Sequence, residues 1–241
     1  MVRNKFANDL DVLLDQLEPA TKLGTMDKLI PIRDRLVELN RKRLVKINHS
    51  ILQVICATHL IEQGYSVQVE HPLLGGQLSA DLFATRKKEP EIDYEIESIL
   101  ISERLGLPED IEALVVEVET GFVPPKAASY PGRYQTARVA AKIARYCRYS
   151  HRFGMATPNY HVLQIPRILM LPPEQRNQVK LDELLNRCNE FYHNPPILMD
   201  SLRMSEVDSV YIINVDHVTT TEISPDKYLD AILRAEGIIF D

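Results

Sequence analysis

Two acids sit where ionised side chains are rare. Asp81 lies between Ala80 and Leu82 in the apolar stretch 78–84, and Glu117 lies within Ala113-Leu114-Val115-Val116-Glu117-Val118-Glu119. The second stretch reads as a strand, whose period of two puts Leu114, Val116 and Val118 on one face and Val115, Glu117 and Glu119 on the other. An ionised acid in such surroundings loses hydration, a cost that a bound cation or a basic partner offsets. Carboxylate oxygens suit Mg²⁺ or Mn²⁺, which keep positions for water and phosphate oxygens. A cation so held acidifies water and stabilises charge on a phosphodiester. Asp81, Glu117 and Glu119 are therefore the expected metal set. The competing reading is a half-exposed strand whose acids pair with Lys or Arg of a neighbouring helix.

A basic helix is expected beside them. The chain carries 34 acids against 28 Lys and Arg, yet none of those acids falls between Gly132 and Phe153. On a helical wheel Arg138, Lys142, Arg145, Tyr149 and Arg152 share a sector of about 80°. Val139, Ile143, Tyr146 and Cys147 back it. Arg133, Gln135, Arg138 and Arg145 are the expected contacts to a phosphate backbone. A solvated face that pairs with the acidic segment 86–112 is an equal alternative.

The positioning elements follow from periodicity and breakers. Two helical pieces are expected from Asn8 to Lys46, with a break over 19–25; they end in the basic cluster Arg41-Lys42-Arg43 and Lys46. A third helix opens at Asn48 or Ser50 and stops at Gly64. Strands are expected at 65–70 and 77–84 with a turn over 72–76. Positions 86–112 read as an acidic helical insertion. A strand at 113–119, a loop over 121–131 and a long helix over 132–153 come next. A strand at 161–171, a helix over 173–192, a strand at 209–215 and a last helix from Ser224-Pro225 to Gly237 complete the order. This alternation is that of an α/β fold, a mixed central sheet flanked by helices, with a helical prefix over 1–46 and the main domain over 47–241.

Other function classes find little support. No apolar stretch approaches the roughly 20 residues that cross a bilayer, and Asp9 and Asp11 stand where a signal peptide is apolar. A cytoplasmic protein with no membrane partner is expected. Cys56, Cys147 and Cys188 form no Cys-x-x-Cys pair, so neither a zinc ribbon nor a disulfide framework is indicated. The seven histidines include no His-Glu-x-x-His, Gly75-Gly76 lacks the Gly-Lys-Ser/Thr of a phosphate loop, and no Gly-x-Ser-x-Gly occurs. The absence of Trp leaves a glycosidase carboxylate pair without the usual sugar-stacking ring.

Over residues 47–171 the element order and its acids resemble the PD-(D/E)XK, or restriction-endonuclease-like, nuclease superfamily. Its core runs helix, three strands, helix, strand, with an Asp from the second strand and Asp/Glu-x-Lys from the third. Asp81 matches the first acid and Glu117 the second. Glu119 occupies the lysine position. Some members carry Glu there and others supply a lysine from the next helix, which makes Lys142 the candidate ahead of Lys126. Many members have an acid in the first helix; here His49 stands near that place, with a helix cap as its favoured role. Gln135 is similar to a glutamine that follows the catalytic strand in some members. The resemblance implies a Mg²⁺- or Mn²⁺-dependent endonuclease with Asp81, Glu117, Glu119 and Lys142 at its centre. It also implies nucleic acid as partner, DNA before RNA, and a homodimer. A catalytically inactive relative that binds nucleic acid or a protein is the alternative, kept open by Glu119.

Overall fold

The computed structural model describes residues 4–89 and 96–235. Helices α1 (Lys5–Leu17), α2 (Thr25–Arg41) and α3 (Ile47–Glu62) precede strands β1 (Ser66–Leu73) and β2 (Leu78–Lys87). Then come α4 (Ile96–Leu105), β3 (Ile111–Val118), α5 (Pro131–Tyr146) and β4 (Arg152–Pro158). Helices α6 (Gln178–Phe191) and α7 (Met199–Arg203), strands β5 (Ser209–Asn214) and β6 (Thr219–Ile223), and α8 (Pro225–Ala235) follow. The six strands form one mixed sheet in sequence order. β3, β4 and β5 run parallel, and the other neighbours are antiparallel. Among the described residues no helix is long and apolar enough to cross a membrane.

Alternation along β3 divides the core. Leu114, Val116 and Val118 join Leu82 under α1, α2 and α3, while Ala113 and Val115 join Phe83, Phe153 and Met155 under α5 and α6. The helical stripes bury as their spacing demands: Leu10, Leu13, Leu14 and Leu17 in α1, and Ile32, Leu36 and Leu39 in α2. The acidic stretch is shorter than expected, because β2 reaches Lys87 and β3 begins at Ile111. β1 likewise runs on through Pro72. As an outer strand of the sheet it has a side with no ladder to feed, so a missing N–H does no harm.

Three expectations fail at the far end. The basic helix stops at Tyr146, and a single turn over Cys147–Tyr149 leads into β4, so Tyr149 and Arg152 are not part of its stripe. Gly154 and Pro158 disguise β4 as a loop. Gly154 is required there because a Cβ would lie 2.5 Å from Cε2 of Tyr211 in β5. Gly154→Ala should therefore destabilise the fold by about 1–3 kcal/mol through overpacking, measurable by chemical denaturation. The stretch 161–171 is no strand but irregular chain containing a short turn, Arg167–Met170, broken by Pro166. Its buried Leu163 and Leu169 explain the strand-like alternation, and the Leu163 N–H donates to the Tyr228 hydroxyl at 2.7 Å instead of to a sheet. The strand β6, Thr219-Thr220-Thr221-Glu222-Ile223, was not anticipated; its β-branched threonines were the available signal. The helix expected over 173–192 begins only at Gln178, and the expected stop at Gly237 lies outside the described residues.

Candidate active site

The β2–β3 ladder is regular from Lys87↔Ile111 to Leu82↔Val116. At the next rung side chains replace backbone. The Asp81 N–H donates to Glu117 Oε1 at 3.0 Å, and the Val118 N–H donates to Asp81 Oδ2 at 2.7 Å. Both carboxylates are thereby drawn into the opening between the strands, with Glu117 only 2% exposed. Lys142 reaches it from α5. Its Nζ lies 3.1 Å from Asp81 Oδ2, 3.1 Å from Glu117 Oε2 and 2.7 Å from Val118 O. From α3 on the opposite layer, His49 Nε2 lies 3.1 Å from Asp81 Oδ1, and Gln53 Nε2 donates to the Asp81 carbonyl at 3.0 Å.

Glu70 completes the cluster. Val69↔Leu82 and His71↔Ala80 bracket it opposite Asp81, and its φ of 48° is in the left-handed region that a glutamate rarely occupies. Such strain is a feature of functional sites. Its carboxylate accepts from Gln53 Nε2 at 2.9 Å and from Ser79 Oγ at 3.1 Å. One donor atom each from His49, Glu70 and Asp81 falls within a common span of 4.8 Å.

Charge is unbalanced here. Asp81 and Glu117 meet the Lys142 ammonium and Glu70 adds a third carboxylate beside Asp81, so these four groups carry an excess of two negative charges when all are ionised. Burial opposes the Asp81 charge, yet Lys142, His49 and the Val118 N–H hold its carboxyl well below the ordinary range. Burial and then the Asp81 charge push Glu117 up to about 8, and the same two causes raise Glu70. Burial works against the Lys142 ammonium, but Asp81 and Glu117 raise its pKa, so it remains a cation and cannot serve as a base. A donor set of carboxylate oxygens with one imidazole and a surplus of negative charge fits a divalent cation, Mn²⁺ more closely than Mg²⁺ because of the imidazole.

A retained proton has a measurable consequence. The unfolded chain releases the Glu117 proton near pH 4.3, whereas the folded site keeps it until about pH 8. The folded state then binds more protons in this window, so metal-free stability should fall as pH rises from about 4.3 to about 8. Asp81 acts in a separate window, its contribution disappearing as pH falls below about 4. Glu117→Gln should flatten the neutral-range fall in thermal melts recorded in chelator. An unchanged slope would move the retained proton to another group, Glu70 first.

Of the expected site residues, Asp81, Glu117 and Lys142 are in direct contact, and the rest make their nearest contacts elsewhere. Glu119 turns away to Arg138, whose Nε lies 2.8 Å from its Oε2, and accepts from the Gly121 N–H at 3.0 Å. That is the strand-to-helix ion pair of the competing reading. Gln135 donates to Gly121 O at 2.9 Å, and Arg145 is held by the carbonyls of Tyr192 and Pro195. Arg133 pairs with Glu190 at 2.5 Å. Arg152, on β4, belongs to the other end of the sheet with Glu112 and Glu222. His49 is no cap, since the Ile47–Glu62 helix has Lys46 at its N-cap and the imidazole faces Asp81. Glu70 carries no local signal in the sequence: it stands at the end of the expected strand, and only strand register sets it opposite Asp81. No protein-family model, no curated protein and no solved structure matches this chain, so its function is argued from this cluster.

Proposed function

We propose that this chain is a divalent-metal-dependent nuclease with a restriction-endonuclease-like core, hydrolysing phosphodiester bonds of DNA or RNA. One observation carries the reading: Lys142 Nζ stands 3.1 Å from both Asp81 Oδ2 and Glu117 Oε2, where two adjacent strands part. The order α3, β1, β2, β3, α5, β4, interrupted by α4 between β2 and β3, supports it, with the acids on β2 and β3. Asp81 and Glu117, helped by Glu70 and His49, would hold Mg²⁺ or Mn²⁺, which when bound acidifies water and neutralises phosphate charge. Lys142 supplies from α5 the fixed positive charge that Glu119 cannot, close enough to offset charge that develops on a phosphate. Asp81 orients the imidazole of His49, and the Val118 N–H fixes Asp81.

The test is incubation with single-stranded, duplex and branched nucleic acids in Mg²⁺, Mn²⁺ or chelator. Cleavage should require the metal and disappear in Asp81→Ala. The pairing of Glu119 with Arg138 favours a second reading, a module that binds nucleic acid without cutting it. Salt-sensitive binding with no metal-dependent product under any condition would select that reading.

A further inference from the structure

On the far side of Lys142 a cavity of about 260 Å³ opens between α5 and the end of α6, lined by Tyr134, Tyr146, Tyr192, Arg138, Arg145 and Lys142. Lys142 is thus shared between this cavity and the carboxylates. The Tyr134 and Tyr192 rings lie 6.1 Å apart and tilted by 34°, tied by a hydroxyl–hydroxyl bond of 3.0 Å, and the Arg145 guanidinium carbon is 5.7 Å from the Tyr192 ring centre. A second aromatic feature is tied to the cavity through Arg138. Phe122, on the loop that follows β3, is 58% exposed; Arg138 Nη1 donates to its carbonyl at 3.3 Å, and Lys46 Nζ sits 6.0 Å from its ring centre. The loop is pinned close to the irregular chain after β4, since a Cβ on Gly121 would meet the His161 ring at 2.5 Å. Core packing accounts for a buried ring such as Tyr134 but not for a phenylalanine held in solvent beside a lysine. In a chain with 7% aromatics, three tyrosines and two arginines line the cavity that includes Lys142, whose ammonium touches both acids.

We propose that the substrate is single-stranded nucleic acid, with one unpaired base in the tyrosine-lined cavity beside Lys142 and a neighbouring base on Phe122. This rests on the nuclease reading and adds the form of the substrate. Every base offers a π-face, so aromatic platforms flanked by Arg and Lys hold unpaired strands with little regard to sequence. Bases in a duplex are stacked on each other and paired. They present phosphates to Lys46, Arg138 and Arg145 but no face to Tyr192 or Phe122.

The experiment measures binding and cutting separately, at one salt concentration. Labelled oligothymidylate, oligouridylate and a mixed-sequence duplex are titrated in chelator with wild type, Phe122→Ala and Tyr192→Leu, and then incubated with Mn²⁺. A strand should bind at least about 10-fold more tightly than the duplex, and each substitution should weaken strand binding by about 5- to 100-fold while leaving duplex binding unchanged. Phe122→Ala removes an exposed ring and keeps the test sound if Tyr192→Leu melts early. Aromatic-dependent strand binding without any metal-dependent cut supports the base subsites and ends the nuclease reading. Duplex bound and cut as readily as strands, with both variants equal to wild type, overturns the inference and leaves the nuclease reading standing.

Discussion

Lys142→Met should slow metal-dependent cleavage by about 10²–10³-fold, the loss typical when one preorganised group that offsets transition-state charge is removed. The same substitution should destabilise the metal-free protein in a pH-dependent way. Deleting one partner of a buried charge pair costs about 3–5 kcal/mol when the remaining charge has no outlet. Here an outlet exists, because Glu117 already retains its proton to about pH 8. Near pH 6 Glu117 is neutral and only Asp81 loses its cation. Without the ammonium Glu117 holds its proton further still, so the loss should be smaller at pH 6, where both proteins keep that proton, than above about pH 8, where only wild type gains by ionising Glu117 beside Lys142. Mn²⁺ should restore more stability to Lys142→Met than it adds to wild type, since the carboxylates then have no internal cation and bind the added one more tightly. Melting curves at the two pH values, with and without Mn²⁺, and single-turnover cleavage measure all of this. Full cleavage by Lys142→Met would remove Lys142 from the reacting centre.

The parts of the site that sequence exposed are those set by local rules. Period two in β3 aimed Glu117 at one face, period 3.6 in α5 separated Lys142 from Val139 and Ile143, and Asp81 stood out as an acid among apolar neighbours. Residues set by longer-range geometry were hidden. Glu70 becomes a site residue only because β1 pairs with β2 in the register that sets it opposite Asp81, and because its backbone takes a left-handed turn. His49 lies in the first turn and reads locally as cap chemistry; its role depends on α3 bringing it to Asp81. Period two also placed Glu119 beside Glu117, but β3 ends at Val118 and Glu119, just beyond it, pairs with Arg138. The same limit governs the fold. Gly154 breaks the pattern of β4 for a reason that lies in Tyr211, far along the chain, whereas the burial of Leu163 and Leu169 imitates a strand in a segment that has no sheet partner.

Asp81→Asn should abolish cleavage more completely than any other single isosteric change. Its carboxylate touches both layers, His49 through Oδ1 and Lys142 through Oδ2, and it also fixes Val118 beside Glu117. Asparagine keeps the volume and one acceptor oxygen for the Val118 N–H but carries no charge. The surplus of negative charge, counted with every acid ionised, falls from two to one, and Glu117 is the carboxylate left to pair with Lys142. Metal ligation contributes several kcal/mol to stabilising charge on the phosphate, and at 1.36 kcal/mol per tenfold its loss slows cleavage by about 10³-fold or more. Stability should change little by comparison, because a buried repulsion disappears together with a buried attraction. Glu117 reports which of the two dominated. The Asp81 charge is the second cause that lifts its pKa, after burial. Without it Glu117 ionises at lower pH, and the fall in metal-free stability between about pH 4.3 and 8 should become shallower although Glu117 itself is untouched. A variant that loses cleavage and keeps the wild-type pH slope would show that the Asp81 charge does not lift the Glu117 proton affinity and would leave burial as its cause.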